Sequence, residues 1–310
     1  MYSVRQLKDG LLTPQAGLRE LNRLYWTRRG KRSHNPDGVD VFEEDWDNLI
    51  ILDGCRYDYF AEVLPDFDVP GELDSRRSKG AATMEFLRGN MDGRDLSDTV
   101  YVTASTKLYQ EDVFRETVDV DLHDSIDVWS NSIDYGEDGV HPSAVTRRSR
   151  EAAETYPNKR LLVHYVQPHA PYIGERGREA FPDYRPNPLA ERFLGKIDTD
   201  TEDLVALYEE NLRLVMGELE SLLPDLPGKT VITADHGMLL GERERPIPIR
   251  SFGHPPGIYV DEMVTVPWHV VENGPRKDVV AEAPQSSYAD KRDDDLDDRA
   301  REHLQQMGYL

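Results

Sequence analysis

Two hydrophobic runs in this sequence end on residues that bind metals. "NLIIL" stops at Asp53, and "TVITA" stops at Asp235 followed by His236. Two carboxylates and an imidazole make a hard oxygen-plus-nitrogen donor set. Zn²⁺ or Mn²⁺ suits it best; Mg²⁺ and Ca²⁺ are possible but less favoured by the imidazole. Such a site needs an attacking group close by, and the stretch "SRRSKGAATMEFLRG" offers two. Thr83 falls at an expected helix start, where the helix dipole favours an incoming anion. A hydroxyl beside a metal loses its proton more readily and becomes a nucleophile. Ser78 is the alternative. Arg56 and Lys79 are candidates for extra contacts to an anion, and His169, in "VHYVQPHAPYIG", follows another apolar run.

These residues need a scaffold that brings strand ends to one rim. The runs at 48–53, 99–104, 160–166 and 230–235, with a fifth at 265–271, are continuous in the manner of parallel strands covered on both faces. Helical patterns lie between them: "TMEFLRGN", "PSAVTRRSREAAET", and residues 201–223 with Thr201 as the expected N-cap. Alternation of this kind predicts an α/β fold with a mostly parallel central sheet and helices on both faces. Ligands in such sheets bind beyond the carboxyl ends of the strands, where Asp53, His169, Asp235 and His236 fall. His164 lies inside a strand and reads as structural; His123, His141 and His269 have no motif around them.

Composition narrows the function. The 310 residues carry a formal charge of −22, which argues against nucleic acid as a partner. The acid excess is spread along the chain, and 28 arginines stand against 9 lysines, the pattern of a salt-adapted, haloarchaeal-type protein. The single cysteine, Cys55, excludes an internal disulfide and reads as a core filler. No apolar run is long enough to span a membrane and no signal-peptide core is present, so a cytoplasmic location is expected. Residues 1–33 depart from the rest, with eight cations against Asp9 and Glu20. They read as a basic helical arm packed on the acidic body, with peripheral contact to a membrane surface or partner as the alternative. Residues 34–275 form the α/β catalytic domain, and 276–310 a charged tail with a short closing helix.

Taken in order, these stretches resemble the alkaline phosphatase and sulfatase superfamily. "NLIILDGCRYD" is similar to its first metal-binding strand, "QPHAPYIG" to the His-x-Pro element of sulfatase-like proteins, and "VITADHGMLLGE" to their Asp-His-Gly element. "GHPPGIYVDEMVTVPWHVV" resembles the stretch where a substrate-binding residue precedes a Val-Pro strand, and "REHLQQMGYL" resembles a Leu-Gly-Tyr ending. The resemblance spans residues 46–310. It implies an alkaline-phosphatase-like fold, Asp53, Asp235 and His236 as metal ligands, Thr83 as nucleophile, and His169 and His254 as holders of the substrate anion or of a second metal. The formylglycine motif of many sulfatases is absent, since "CRYDY" lies beside Asp53 in neither the right place nor the right form. The implied activity is metal-dependent hydrolysis of a phosphate or sulfate ester. Alternatives are transfer of a phospho-group to a glycan or lipid, or an inactive relative that binds an anionic ligand.

Overall fold

The computed structural model describes residues 14–105, 118–129, 135–136, 139–183 and 185–283. The expected closing helix and the Leu-Gly-Tyr ending lie outside the described residues. The first element is helix α1 (Pro14–Trp26), followed by strand β1 (Asn48–Leu52), α2 (Tyr57–Val63), β2 (Glu72–Arg77), α3 (Thr83–Met91), β3 (Arg94–Thr103) and β4 (Val120–Asp127). A two-residue ladder, β5 (Tyr135–Gly136) with β6 (Gly139–Val140), leads to α4 (Pro142–Thr155) and β7 (Arg160–Tyr165). Three helices follow, α5 (Glu175–Ala180), α6 (Pro188–Phe193) and the long α7 (Thr201–Leu222), then β8 (Gly228–Thr233), β9 (Leu239–Arg243), β10 (Arg250–Gly253) and β11 (Thr265–Asn273).

Seven strands form one sheet in the order β2-β11-β8-β1-β7-β3-β4. The five from β8 to β4 run parallel, and β11 is antiparallel to both β8 and β2. Strand β1 is buried along its whole length because both faces of the sheet are covered there. Ile50 and Leu52 of β1 meet Leu212, Val215, Met216 and Leu219 of α7, with Val145 of α4. Leu49 and Ile51 meet Phe86, Leu87 and Met91 of α3 on the opposite face. One strand thus feeds two cores by simple alternation.

The polar edge strands β2 and β4 escaped the apolar-run reading. Helix α7 starts where expected, but its N-cap is Asp200; Thr201 is the first helical residue, and its hydroxyl accepts from Arg250 at 2.9 Å. Helix α1 packs on the β9–β10 hairpin. Arg19 and Asn22 donate to the fully buried Glu244 at 2.7 and 3.0 Å, and the Trp26 indole donates to the Arg245 carbonyl at 2.6 Å. After β11 the chain crosses the amino ends of β1, β7 and β3. Lys277 donates to Asn48 at 2.7 Å, the Val280 amide to Asn158 at 3.0 Å and the Glu282 amide to Ser97 at 3.2 Å. Residues 276–283 are therefore fastened to the sheet, on the rim opposite the chemistry-bearing residues. Among the described residues no helix is long and apolar enough to cross a membrane.

Candidate metal centre

Asp53 continues the line of β1. Its amide donates to Tyr165 at 3.0 Å, and its carbonyl accepts from the His169 amide at 3.1 Å, which fixes the turn after β7. Gly54 follows with φ of +69°, the left-handed region that favours glycine. That turn aims the Gly54 amide at Asp235 Oδ1, 3.0 Å away, where the His236 amide also donates at 2.9 Å. Two amides hold one oxygen of a fully buried carboxylate, and Oδ2 is left without a hydrogen bond. Burial alone would raise the pKa of Asp235. The opposing effects of His236, His164 and the Gly54 amide win and lower it.

His236 supplies the other half. Its Nδ1 lies 2.7 Å from the Gly237 carbonyl, a bond only an N–H can make, so Nε2 is the nitrogen that faces the site, with a lone pair there when the ring is neutral. That nitrogen is buried without a hydrogen bond, 3.5 Å from Asp53 Oδ1 and 3.4 Å from Asp235 Oδ2. A lone pair facing two carboxylates in a water-poor setting is repulsive unless a cation stands among them. The three donor atoms lie within 4.8 Å of one another, so the set fits a divalent ion. Gly237 has its own constraint: a Cβ would meet the Glu262 carbonyl at 2.1 Å.

Thr83 is the first residue of α3 and is nearly buried, with its Oγ1 3.4 Å from Asp53 Oδ2. It is also among the groups that lower the Asp235 pKa, so the hydroxyl lies close to both carboxylates. Ser78 is differently engaged. Its hydroxyl donates to the Asp235 backbone carbonyl and accepts from the Gly80 amide at 3.0 Å, clasping two loops together.

The remaining candidates divide. His169 and His254 are brought to the site and touch through their Nε2 atoms at 2.9 Å. His169 Nδ1 donates to the Ala170 carbonyl at 2.6 Å, so its Nε2 accepts from His254. The His254 ring stacks on His236, centroids 4.5 Å apart and 16° from parallel. Arg56 and Lys79, the expected extra anion contacts, are both engaged by carboxylates in this structure. Arg56 is held by Asp58 and Glu242 and donates to the Met238 carbonyl at 3.2 Å, bracing the loop after His236. Lys79 is held by Asp40 and the Gly89 carbonyl.

Four residues of this neighbourhood had no motif to announce them. Tyr208 of α7 accepts from the Arg56 amide at 3.0 Å and donates to the Gly54 carbonyl at 2.9 Å. Asn211, one turn on, holds the His169 and Pro171 carbonyls at 3.1 and 2.9 Å. Both lie on the buried stripe of α7, where a polar residue in an apolar repeat is the usable signal. Glu85, in the first turn of α3, is pushed up to about 7 by burial, against the Ala81 amide and Tyr259. His164 is fully buried, its Nε2 3.8 Å from Asp53 Oδ2. Burial outweighs the Asp235 charge and pushes its pKa down to about 4.

No protein-family model matches the sequence, and no curated protein matches it either. Solved structures similar to this chain include the C-terminal periplasmic domain of EptC from Escherichia coli in complex with Zn. That one is 13% identical over 76% of this chain and 75% of that chain, with a TM-score of 0.47. The soluble domain of lipooligosaccharide phosphoethanolamine transferase A from Neisseria meningitidis is 14% identical over 72% and 75%, with a TM-score of 0.45. A protein in the alkaline phosphatase superfamily from Vibrio parahaemolyticus is 13% identical over 84% and 71%, with a TM-score of 0.41. At such identities the similarity carries nothing about this chain's substrate or reaction.

Proposed function

We propose that the chain is a metal-dependent enzyme that cleaves a phosphate or sulfate ester through Thr83. The carrying observation is the bare His236 Nε2 turned toward Asp53 and Asp235, with the Thr83 hydroxyl 3.4 Å from Asp53. Asp53, Asp235 and His236 would hold one divalent ion. When bound, such an ion makes a nearby hydroxyl more acidic and offsets the charge of an anionic ester. Asp53 Oδ2 is the acceptor placed for the Thr83 proton, and the start of α3 puts the hydroxyl where an anion is favoured. Thr83 Oγ1 attacks phosphorus or sulfur in line, and the ester oxygen departs with its bonding pair. His254, whose Nε2–H now bonds His169, redirects that donor to a non-bridging oxygen of the incoming group. Water, or an acceptor hydroxyl, then attacks the threonyl ester and regenerates Thr83.

The test begins with metal content. Elemental analysis of reconstituted protein should give about one Zn²⁺ or Mn²⁺ per chain, and Asp235→Asn should lose it. Wild-type protein that takes up no divalent ion would end the catalytic reading.

A further inference from the structure

His164 stands in β7 with Ile51 as its register partner, two residues short of the level of Asp53 and on the same side of the pleat. It is wholly buried, and its Nε2 has no hydrogen bond. A buried polar atom without a partner costs about 1–3 kcal/mol, so its placement calls for a reason. The other ring nitrogen is engaged: Nδ1 lies 2.7 Å from the Tyr101 hydroxyl on β3. In this buried setting a lone pair on Nε2 would face the Asp53 carboxylate, whereas an N–H there is attracted to it. With its proton on Nε2 the ring presents a lone pair at Nδ1, and Tyr101 gives its own proton to that atom. The ring is thereby fixed with its proton on Nε2, the atom 3.8 Å from Asp53 Oδ2 and within about 1 Å of hydrogen-bonding range.

Resting on the metal-centre reading above, we propose that His164 is a positioning residue for Asp53. Its Nε2–H steers one carboxylate oxygen, and the Tyr101 hydroxyl bonded to Nδ1 keeps the tautomer that can do so. The arrangement supplies a ligating carboxylate with a donor that cannot be confused with a ligand, because the tautomer leaves no lone pair on Nε2.

Two measurements on the full-length protein test it. Ring-¹⁵N-labelled histidine spectra of metal-free protein should show His164, identified by the signal lost in His164→Gln, as the Nε2–H tautomer, and Tyr101→Phe should disturb that preference. Calorimetric titration with Zn²⁺ should show His164→Leu weakened by about 10–100-fold, while His164→Gln, which keeps an N–H at the Nε2 position, stays within about threefold of wild type. If His164→Leu does not fold, Tyr101→Phe carries the affinity test, with a smaller loss expected. An Nδ1–H tautomer in the wild type overturns the proposal, and so does a folded His164→Leu that binds Zn²⁺ as the wild type does, with the metal centre itself left standing. Wild-type protein that binds no Zn²⁺ or Mn²⁺ overturns both readings together.

Discussion

Replacing Arg19 by methionine removes half of an ion pair that ties α1 to the body. The Glu244 side chain is 0% exposed and accepts from Arg19 Nε at 2.7 Å and from Asn22 at 3.0 Å. Arg19 also meets Ser251 and lies 3.3 Å from the centroid of the Phe193 ring. Methionine keeps most of that stem packing and deletes only the charge. Breaking a buried pair from one side leaves an uncompensated charge, at a cost of roughly 3–5 kcal/mol. Because Asn22 remains, the lower end applies: about 3 kcal/mol, or roughly 6–12 °C in melting temperature at 2–4 °C per kcal/mol. Burial also means little screening, so the loss should persist in molar salt. The alternative response is that α1 undocks and lets Glu244 reach water, which protease cleavage within residues 14–26 would report. Scanning calorimetry with limited proteolysis covers both. Glu244→Gln should cost less than Arg19→Met, since Arg19 is 21% exposed and water can serve it. The double variant should melt above Arg19→Met alone. If Arg19→Met melts within about 2 °C of wild type and α1 stays protected, the buried pair is not what holds the arm.

Thr83→Ala should abolish turnover of an aryl phosphate or aryl sulfate, by several powers of ten, at nearly unchanged metal content; Ser78→Ala should leave turnover measurable and lower stability through the lost loop clasp. Activity that survives Thr83→Ala and dies with Ser78→Ala would reverse that assignment. Cys55 is fully buried, and burial raises its thiol pKa, so native protein should resist alkylation and show an unmodified mass until unfolded. Lys277 is lowered to about 8 by burial, against an ordinary 10.5, so between those values the unfolded chain binds more protons and stability rises with pH. Comparing wild type with Lys277→Met in urea, the gap attributable to Lys277 should close by about 1–2 kcal/mol between pH 7.5 and 9.5; a pH-independent gap would refute it.

The parallel core was legible because β1, β3, β7 and β8 are apolar on both faces and so appear as unbroken runs. The edge strands were not: "ELDSRR" of β2 is half exposed and reads as loop. Asp53, Asp235 and His236 could be found because strand ends point to one rim, and Thr83 because a hydroxyl residue opens a helix. Partner choice was out of reach. A sequence shows that Arg56 and Lys79 are cations but not that carboxylates 186 and 39 residues away claim them. His164 was taken for strand filler, and only its register beside β1 puts it near Asp53. Within the expected arm, Pro14–Trp26 form a helix on the β9–β10 hairpin, yet the buried Glu244 that receives it has no mark in the sequence.

The placement of β1 in mid-sheet has a kinetic consequence. Asp53 meets Asp235 only after β1 has paired with β8, a contact spanning 181 residues at the Gly54 amide, and Thr83 joins through the β2–β11 edge. Contacts of such separation form late in folding. An ion held by Asp53, Asp235 and His236 would therefore find no complete site in partly folded chains. Its stabilisation would fall on the unfolding rate and leave the folding rate nearly untouched, so a chelator would shorten the lifetime of the native state without delaying its formation.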